Sequence, residues 1–254
     1  MNRPHPAPDG PSAAPGTPEA QWRAWLGTRS WPELDLDPGW RTVLVCAAHP
    51  DDDVLAVGGL MAALAAAGAG LRLLAATDGE ASHPGSTALA PGALARERVA
   101  ETRAALSALG VAAEGSVRLG LPDAGLAAVE AELTAAVAGC ARDVDLVVAP
   151  WERDAHPDHD ALGRAARAAA TGAGVPLLAF PVWTWQWAAP GDPRVPWDRV
   201  ARLPLTADRA AAKRAAVDCF ATQVRPIGPA PEDAAVLAPE VLASFDRDAE
   251  VVFR

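Results

Sequence analysis

The sequence predicts an α/β fold, a Rossmann-like, mostly parallel sheet with helices on both faces. Two observations carry that expectation. Short apolar runs of strand length alternate with longer segments whose apolar residues recur at helical spacing, as repeated βα units would show. The runs are near-continuous rather than alternating, which fits strands buried on both faces. A length of 254 residues, half of them hydrophobic, suits one such domain.

Residues 1–19 are rich in Pro, Gly, Ala and Ser without apolar periodicity and read as a flexible tail. Residues 20–254 are then expected to form a single domain. Trp22 and Trp25 are spaced for one side of a short helix that packs back on it. Thr42 to Ala47 is the first buried strand, followed by His49-Pro50-Asp51-Asp52-Asp53. Val57, Leu60, Met61 and Leu64 then fall at helical spacing. Leu71 to Ala76 is the second strand, and a polar loop runs from about Ala81 to Gly92. A long helix is expected from about Ala93 to Leu109, stopped by Gly110.

Ser116 to Leu119 is the third strand, Ala127 to Ala141 a helix and Leu146 to Ala149 the fourth strand. Ala161 to Ala170 reads as helix and Pro176 to Val182 as the fifth strand. The C-terminal part is less regular: a strand over Arg199 to Leu205, a helix over Ala207 to Phe220 and a last strand over Val251 to Phe253.

Composition removes several functions. The net charge is −10 and the 22 Lys plus Arg do not cluster, so no nucleic-acid footprint is present. No apolar run is long enough to span a bilayer. Prolines and alanines follow Arg3 and His5 where a signal peptide would place its apolar stretch. Cys46, Cys140 and Cys219 are odd in number, far apart and outside any CxxC pair. They read as reduced thiols of a cytoplasmic protein, with Cys46 in the core. High alanine, a single lysine (Lys213) and no tyrosine fit a GC-rich bacterial genome.

Three of the five histidines lie in two compact motifs, Ala48-His49-Pro50-Asp51-Asp52-Asp53 and His156-Pro157-Asp158-His159. Each motif directly follows a predicted strand. In open α/β sheets, ligands bind beyond the carboxyl ends of strands, so the two loops are placed to converge. Imidazoles with a carboxylate suit zinc or a similar divalent ion, and three protein ligands leave a position for water. A spare carboxylate there serves as general base, and a spare histidine as oxyanion stabiliser or acid. Asp-rich loops are often only turns and caps, and Asp53 fits a plain helix cap. Two such loops, each at a strand end, are hard to explain as caps alone.

These motifs, with Thr77-Asp78-Gly79-Glu80 and Arg98-Val99-Ala100-Glu101 between them, resemble the N-acetylglucosaminyl-phosphatidylinositol de-N-acetylases, the PIG-L or LmbE-like family. The resemblance runs from about Arg41 to the C-terminus. It implies a Rossmann-like fold and zinc-dependent removal of an acyl group from an N-acyl amino sugar. It implies His49, Asp52 and His159 as metal ligands and Asp51 as general base. His156 would polarise the amide carbonyl or protonate the departing amine, Asp158 would orient a histidine, and Arg98 would lie near the substrate. Many members have Glu where this chain has Asp53, which keeps the charge and shortens the arm.

Trp151, just before the second motif, is a candidate for the pocket wall, and Asp78 for holding substrate hydroxyls or fixing a turn. Trp183, Trp185 and Trp187 alternate after the fifth strand. At period two they share a face, lining the pocket or filling a core gap or an oligomer interface. Loop 81–92 is either a lid or a mobile surface loop, with His83 expected in solvent rather than as a fourth ligand. Gln223 and Arg225 are weaker candidates to reach the site. The expected partner is a small N-acyl sugar-type substrate, and an acidic surface with several tryptophans permits an oligomer. The competing readings are a metal-dependent deacylase of a non-sugar amide (a thiol conjugate or glycopeptide) and a non-catalytic sugar-binding relative. A nucleotide-binding oxidoreductase would need a Gly-rich turn after the first strand, where this chain has His49-Pro50-Asp51.

Overall fold

The computed structural model describes residues 16–254. The tail expected over residues 1–19 lies mostly outside the described residues, and Glu19 already opens helix α1 (Glu19–Leu26). Seven strands form one sheet: β1 (Thr42–Ala47), β2 (Gly70–Ala75), β3 (Val117–Arg118), β4 (Leu146–Pro150), β5 (Leu177–Phe180), β6 (Val200–Pro204) and β7 (Ala249–Phe253). Their order is β3-β2-β1-β4-β5-β7-β6. The first five run parallel, while β7 is antiparallel to both β5 and β6. The C-terminal segment therefore continues the sheet past β5, with the last strand inserted inside β6.

The continuous apolar runs have the expected cause. Val43, Val45 and Ala47 of β1 face one core, which also holds Val54, Leu55, Leu60 and Leu64 of α2 (Asp52–Ala66). Leu44 and Cys46 face a second core with Leu133 and Val137 of α4 (Glu130–Cys140) and Leu162 and Ala166 of α5 (Pro157–Ala173). Helix α3 (Pro91–Ala108) joins the first core through Ala105 and Leu106. Trp22 of α1 is fully buried there and donates from Nε1 to the Trp185 carbonyl (2.9 Å). No helix among the described residues is long and apolar enough to cross a membrane.

Two local features depart from the sequence expectation. Helix α5 starts four residues early, at Pro157, so His159 lies in its first turn rather than in a loop. The local chemistry explains the early start. His156 is the N-cap and its Nδ1 accepts the Asp158 N–H (3.2 Å), while Pro157 supplies a preset φ at the first position. Asp158 and Asp160 place negative charge in the first turn, where the helix dipole favours it. Gly163 lets the helix lie against the end of β4; a Cβ there would come within 2.7 Å of the Pro150 carbonyl and the Glu152 backbone.

The second departure is the tryptophan run. Strand β5 stops at Phe180, and Thr184–Trp187 form a helical turn, α6, so the three indoles do not share a face. Trp185 packs edge-on against Trp22 with centroids 5.1 Å apart. Trp183 instead lies 6.5 Å from the His156 ring, nearly parallel to it.

Candidate functional site

Strand β1 is flanked by β2 on one side and β4 on the other. Helix α2 leaves β1 over one face of the sheet and α5 follows β4 over the opposite face. The loops beyond the carboxyl ends of β1 and β4 therefore diverge and leave a crevice, the switch point at which such sheets bind ligands. Both histidine motifs reach it.

Three donor groups meet there. His49 Nδ1 lies 3.3 Å from Asp52 Oδ2 and 3.3 Å from His159 Nε2, and His159 Nε2 lies 3.2 Å from Asp52 Oδ1. The other ring nitrogens are already engaged. His159 Nδ1 donates to Asp154 Oδ2 (2.7 Å), and His49 Nε2 sits 3.2 Å from both Asp158 Oδ2 and Asp123 Oδ1. With those nitrogens protonated, neutral imidazoles aim two lone pairs and a carboxylate at one point. Lone pairs facing one another repel unless a cation or a proton lies between them. Zinc held tetrahedrally at 2.0–2.1 Å gives donors about 3.3 Å apart, which the spacings match.

Electrostatics agrees. Burial alone would lower the pKa of His49, yet Asp123, Asp158 and Asp52 together raise it well above the ordinary value. His159 is likewise raised to about 9 against burial, by Asp52 and Asp154. Asp52 falls well below the usual carboxylate range because the two histidines override its burial. The pocket demands positive charge, and a divalent cation would displace the protons that otherwise supply it. The donor set therefore fits the metal the resemblance implies. A nitrogen of His156 also lies within 4.8 Å of those of His49 and His159. Asp52, with oxygens 3.2 and 3.3 Å from the two ring nitrogens, is the better third donor.

Asp51 is buried beside this point with φ 123°, a conformation rare outside glycine, and its carbonyl accepts the Leu55 N–H (2.8 Å). Burial pushes its carboxyl up to about 7 against the opposing charge of Arg98. Arg98 differs from the expectation. Its guanidinium is 2% exposed and donates to Asp51 Oδ2 (2.9 Å), the Gly79 carbonyl (3.0 Å) and the Pro50 carbonyl (2.5 Å). It thus grips Asp51 from the protein side, with no open face for a substrate. Glu101, one helical turn on, instead accepts the N–H and hydroxyl of Thr222 at 2.7 and 2.8 Å.

Gly79 shows how tightly that grip is built. It has φ +70°, and a Cβ there would lie 1.9 Å from Arg98 Nη1. Gly79→Ala is expected to lower stability by about 1–3 kcal/mol from the backbone and the displaced guanidinium. Urea unfolding measures this, and a midpoint equal to the parent's would contradict it.

The remaining expected residues divide. The half-buried His156 has its pKa lowered to about 3 by burial and by the charges of His159 and His49. Its Nδ1 accepts the Asp158 N–H, which leaves Nε2–H free to donate. Asp158, fully buried, sits against His49 and accepts the Ala124 and Leu126 N–H groups at 2.8 and 2.9 Å. Trp151 is placed in the core rather than in a pocket wall, 4% exposed against Phe253 with centroids 5.2 Å apart. Asp78 is spoken for by Arg118, with contacts of 3.0 and 2.6 Å. His83 is buried rather than solvated, its Nδ1 3.0 Å from Ser82 Oγ. Loop 81–92 is tied down by Ser86 Oγ–H to Asp233 (2.6 Å) and Gln223 Nε2–H to Ser82 (3.2 Å), while Arg225 is exposed. Asp53 is no surface cap: it is 1% exposed, its Oδ2 has no partner, and burial raises its carboxyl to about 7.

Two residues at the site escaped the sequence reading, Asp123 and Asp154. Asp123 follows β3 as the histidine motifs follow β1 and β4, so the strand-end rule would have flagged it. His49 lowers its pKa to about 2 despite burial. Asp154 stands five residues before His159 and carries no motif of its own.

A family model described as PIG-L, GlcNAc-PI de-N-acetylase, matches residues 44–170, the stretch that supplies every one of these donors. The chain is 33% identical over 200 residues to a 1D-myo-inositol 2-acetamido-2-deoxy-alpha-D-glucopyranoside deacetylase of Rhodococcus opacus, covering 69% of this chain and 64% of that protein. It is 46% identical over 74 residues to a Kineococcus radiotolerans protein of the same name, covering 28% of this chain and 20% of that protein. The chain thus spans less than two thirds of these curated relatives. A deacetylase of the teicoplanin biosynthetic pathway, solved as a triple mutant, superimposes with TM-score 0.61 at 22% identity, covering 84% and 96% of the two chains, a likeness of fold. The matched stretch holds both histidine motifs and the strands that bring them together, and on it the chain belongs to the PIG-L family, GlcNAc-PI de-N-acetylase.

Proposed function

We propose that this protein is a zinc-dependent deacetylase that removes the acetyl group from an N-acetylglucosamine-type sugar conjugate. The observation that carries the reading is the convergence of His49, Asp52 and His159 donors at tetrahedral spacing, with Asp51 and His156 beside them. The family and the names of its relatives support the amino-sugar substrate.

A divalent ion held by His49, Asp52 and His159 would supply Lewis acidity for the attacking water and the amide carbonyl. The chain's own groups do the rest. Asp51, raised to about 7, is matched to take the proton of the attacking water near neutral pH. Arg98 fixes the direction of that carboxylate. His156, kept neutral, donates from Nε2–H to the oxygen that gains charge as the carbonyl becomes tetrahedral. The proton held by Asp51 is then delivered to the departing amine. Asp154 and Asp158 hold the two metal-binding imidazoles in the tautomers that ligation needs. The presence of both base and ligands weighs against a non-catalytic sugar-binding role.

The same reading takes residues 20–254 as one domain. The three free cysteines support a reducing, cytoplasmic setting. Purified protein is expected to carry about one zinc per chain and to release free amine from N-acetylglucosamine conjugates in a deacetylation screen. Turnover of a thiol or glycopeptide amide alone would move the substrate away from amino sugars. Failure to bind Zn, Fe, Co or Ni would refute the metal mechanism.

A further inference from the structure

We propose that Asp154 is a positioning residue that ties the metal ligand His159 to the turn bearing Trp183, and that Trp183 is the substrate wall beside the metal. Metal binding and substrate binding then depend on one buried carboxylate. The substrate half of this inference rests on the deacetylase reading above; the metal half needs only the ligand set.

Asp154 is fully buried, and its two oxygens are surrounded by donors. Oδ1 accepts the N–H of Val182 (3.1 Å), the N–H of Thr184 (2.8 Å) and the hydroxyl of Thr184 (2.6 Å). Oδ2 accepts His159 Nδ1–H (2.7 Å) and the Trp183 N–H (2.8 Å). Its own carbonyl accepts Trp187 Nε1–H (2.8 Å). One side chain therefore fixes the tautomer of a metal ligand and gathers the backbone where β5 gives way to α6. Among short side chains only a carboxylate accepts on both of its polar atoms without offering a donor.

The turn it gathers puts Trp183 at the site. The indole is half-buried and lies 18° from parallel with His156 at 6.5 Å, while Trp185 turns inward onto Trp22. A rigid aromatic face with one side on a catalytic imidazole offers apolar area to a sugar ring at little entropic cost.

Asp154→Asn exposes the dependence, because the amide must aim an N–H at one donor set or the other. An N–H at the Oδ2 position forces a bare Nδ1 on His159, which moves its proton to Nε2 and removes the ligating lone pair. An N–H at the Oδ1 position opposes Val182 and Thr184 and frees the turn. Either orientation disables one end.

The test compares zinc affinity, by competition with a chromophoric chelator, and KM for an N-acetylglucosamine conjugate at saturating zinc. Asp154→Asn is expected to lose zinc affinity by about 10- to 100-fold or to raise KM, according to the orientation its amide takes, and parental values of both would overturn the coupling. Trp183→Ala is expected to keep zinc affinity within about twofold and raise KM about tenfold. Thr184→Val removes one hydroxyl and spares the fold should Asp154→Asn not fold; it is expected to weaken both quantities about threefold or more. Zinc titration is also expected to shift the near-UV tryptophan circular dichroism of the parent, and Trp183→Ala to lose that shift. Parental zinc affinity and KM in Thr184→Val, parental KM in Trp183→Ala, or tryptophan bands unmoved by zinc would overturn the coupling. A parent that binds zinc and hydrolyses no conjugate refutes the deacetylase reading instead, and the zinc and dichroism measurements still decide whether Asp154 couples the two elements.

Discussion

Asp51→Asn is expected to retain its zinc and lose turnover by a factor of about 10² to 10⁴, the usual worth of a general base. The substitution is chosen for the backbone. Position 51 has φ 123°, and asparagine is among the side chains that best tolerate positive φ. The amide oxygen still accepts from Arg98, so the guanidinium keeps a partner and the loops of Pro50 and Gly79 stay gripped. Only the capacity to take a proton near pH 7 goes. The cost in stability should be about 1–3 kcal/mol, from a weakened charge-assisted bond in a buried setting. Metal analysis and kcat on the same preparation check the result. A variant that turns over within tenfold of the parent would move the base to another group, with Asp53, whose carboxyl is raised and whose Oδ2 has no partner, next in line.

What the sequence disclosed follows from which forces act locally. Strand β1 is legible in the sequence because Val43 to Ala47 is apolar on both faces, with Arg41 before it and the His49 motif just beyond it. The helix after β4 starts earlier than its apolar spacing predicts because its first turn is made of a histidine, acids and a proline. Those residues look like a loop until His156 is seen capping the helix. Period-two spacing misled at Trp183 to Trp187, since a four-residue turn set by Asp154 overrides it. The two strand-end motifs do bring His49, Asp52 and His159 to one point, as their positions at strand ends predict. Arg98, expected near the substrate, turns into the protein instead, because sequence shows charge and not direction and its direction is set by the carbonyls of two other loops. Asp154 and His83 depend on contacts 28 to 151 residues away along the chain, with Val182, Trp183 and Thr184 in one case and with the segment near Ala234 in the other, and no local pattern reports them.

His159→Ala is expected to abolish turnover and remove most of the zinc-dependent stabilisation, whereas His156→Ala should abolish turnover and keep the stabilisation. Zinc at 100 times its Kd adds about 2.7 kcal/mol to the parent. For a chain of this size that corresponds to a rise in Tm of roughly 5–10 °C. His159→Ala removes one of the three donors and leaves Asp52 Oδ1 and His49 Nδ1 without their shared partner, so the rise should fall to about 1–2 °C. His156 has its Nδ1 engaged by the Asp158 backbone and is held neutral by burial and its positive neighbours, the setting of a donor to substrate. The pair of variants separates two ligand sets that geometry brings close, since a His156 nitrogen also lies within 4.8 Å of those of His49 and His159. If His156→Ala lost the zinc-dependent rise and Asp52→Asn kept it, the metal would be a three-histidine site. Asp52 would then be an acceptor for the His49 N–H, the 2.8 Å contact it already makes, and no more.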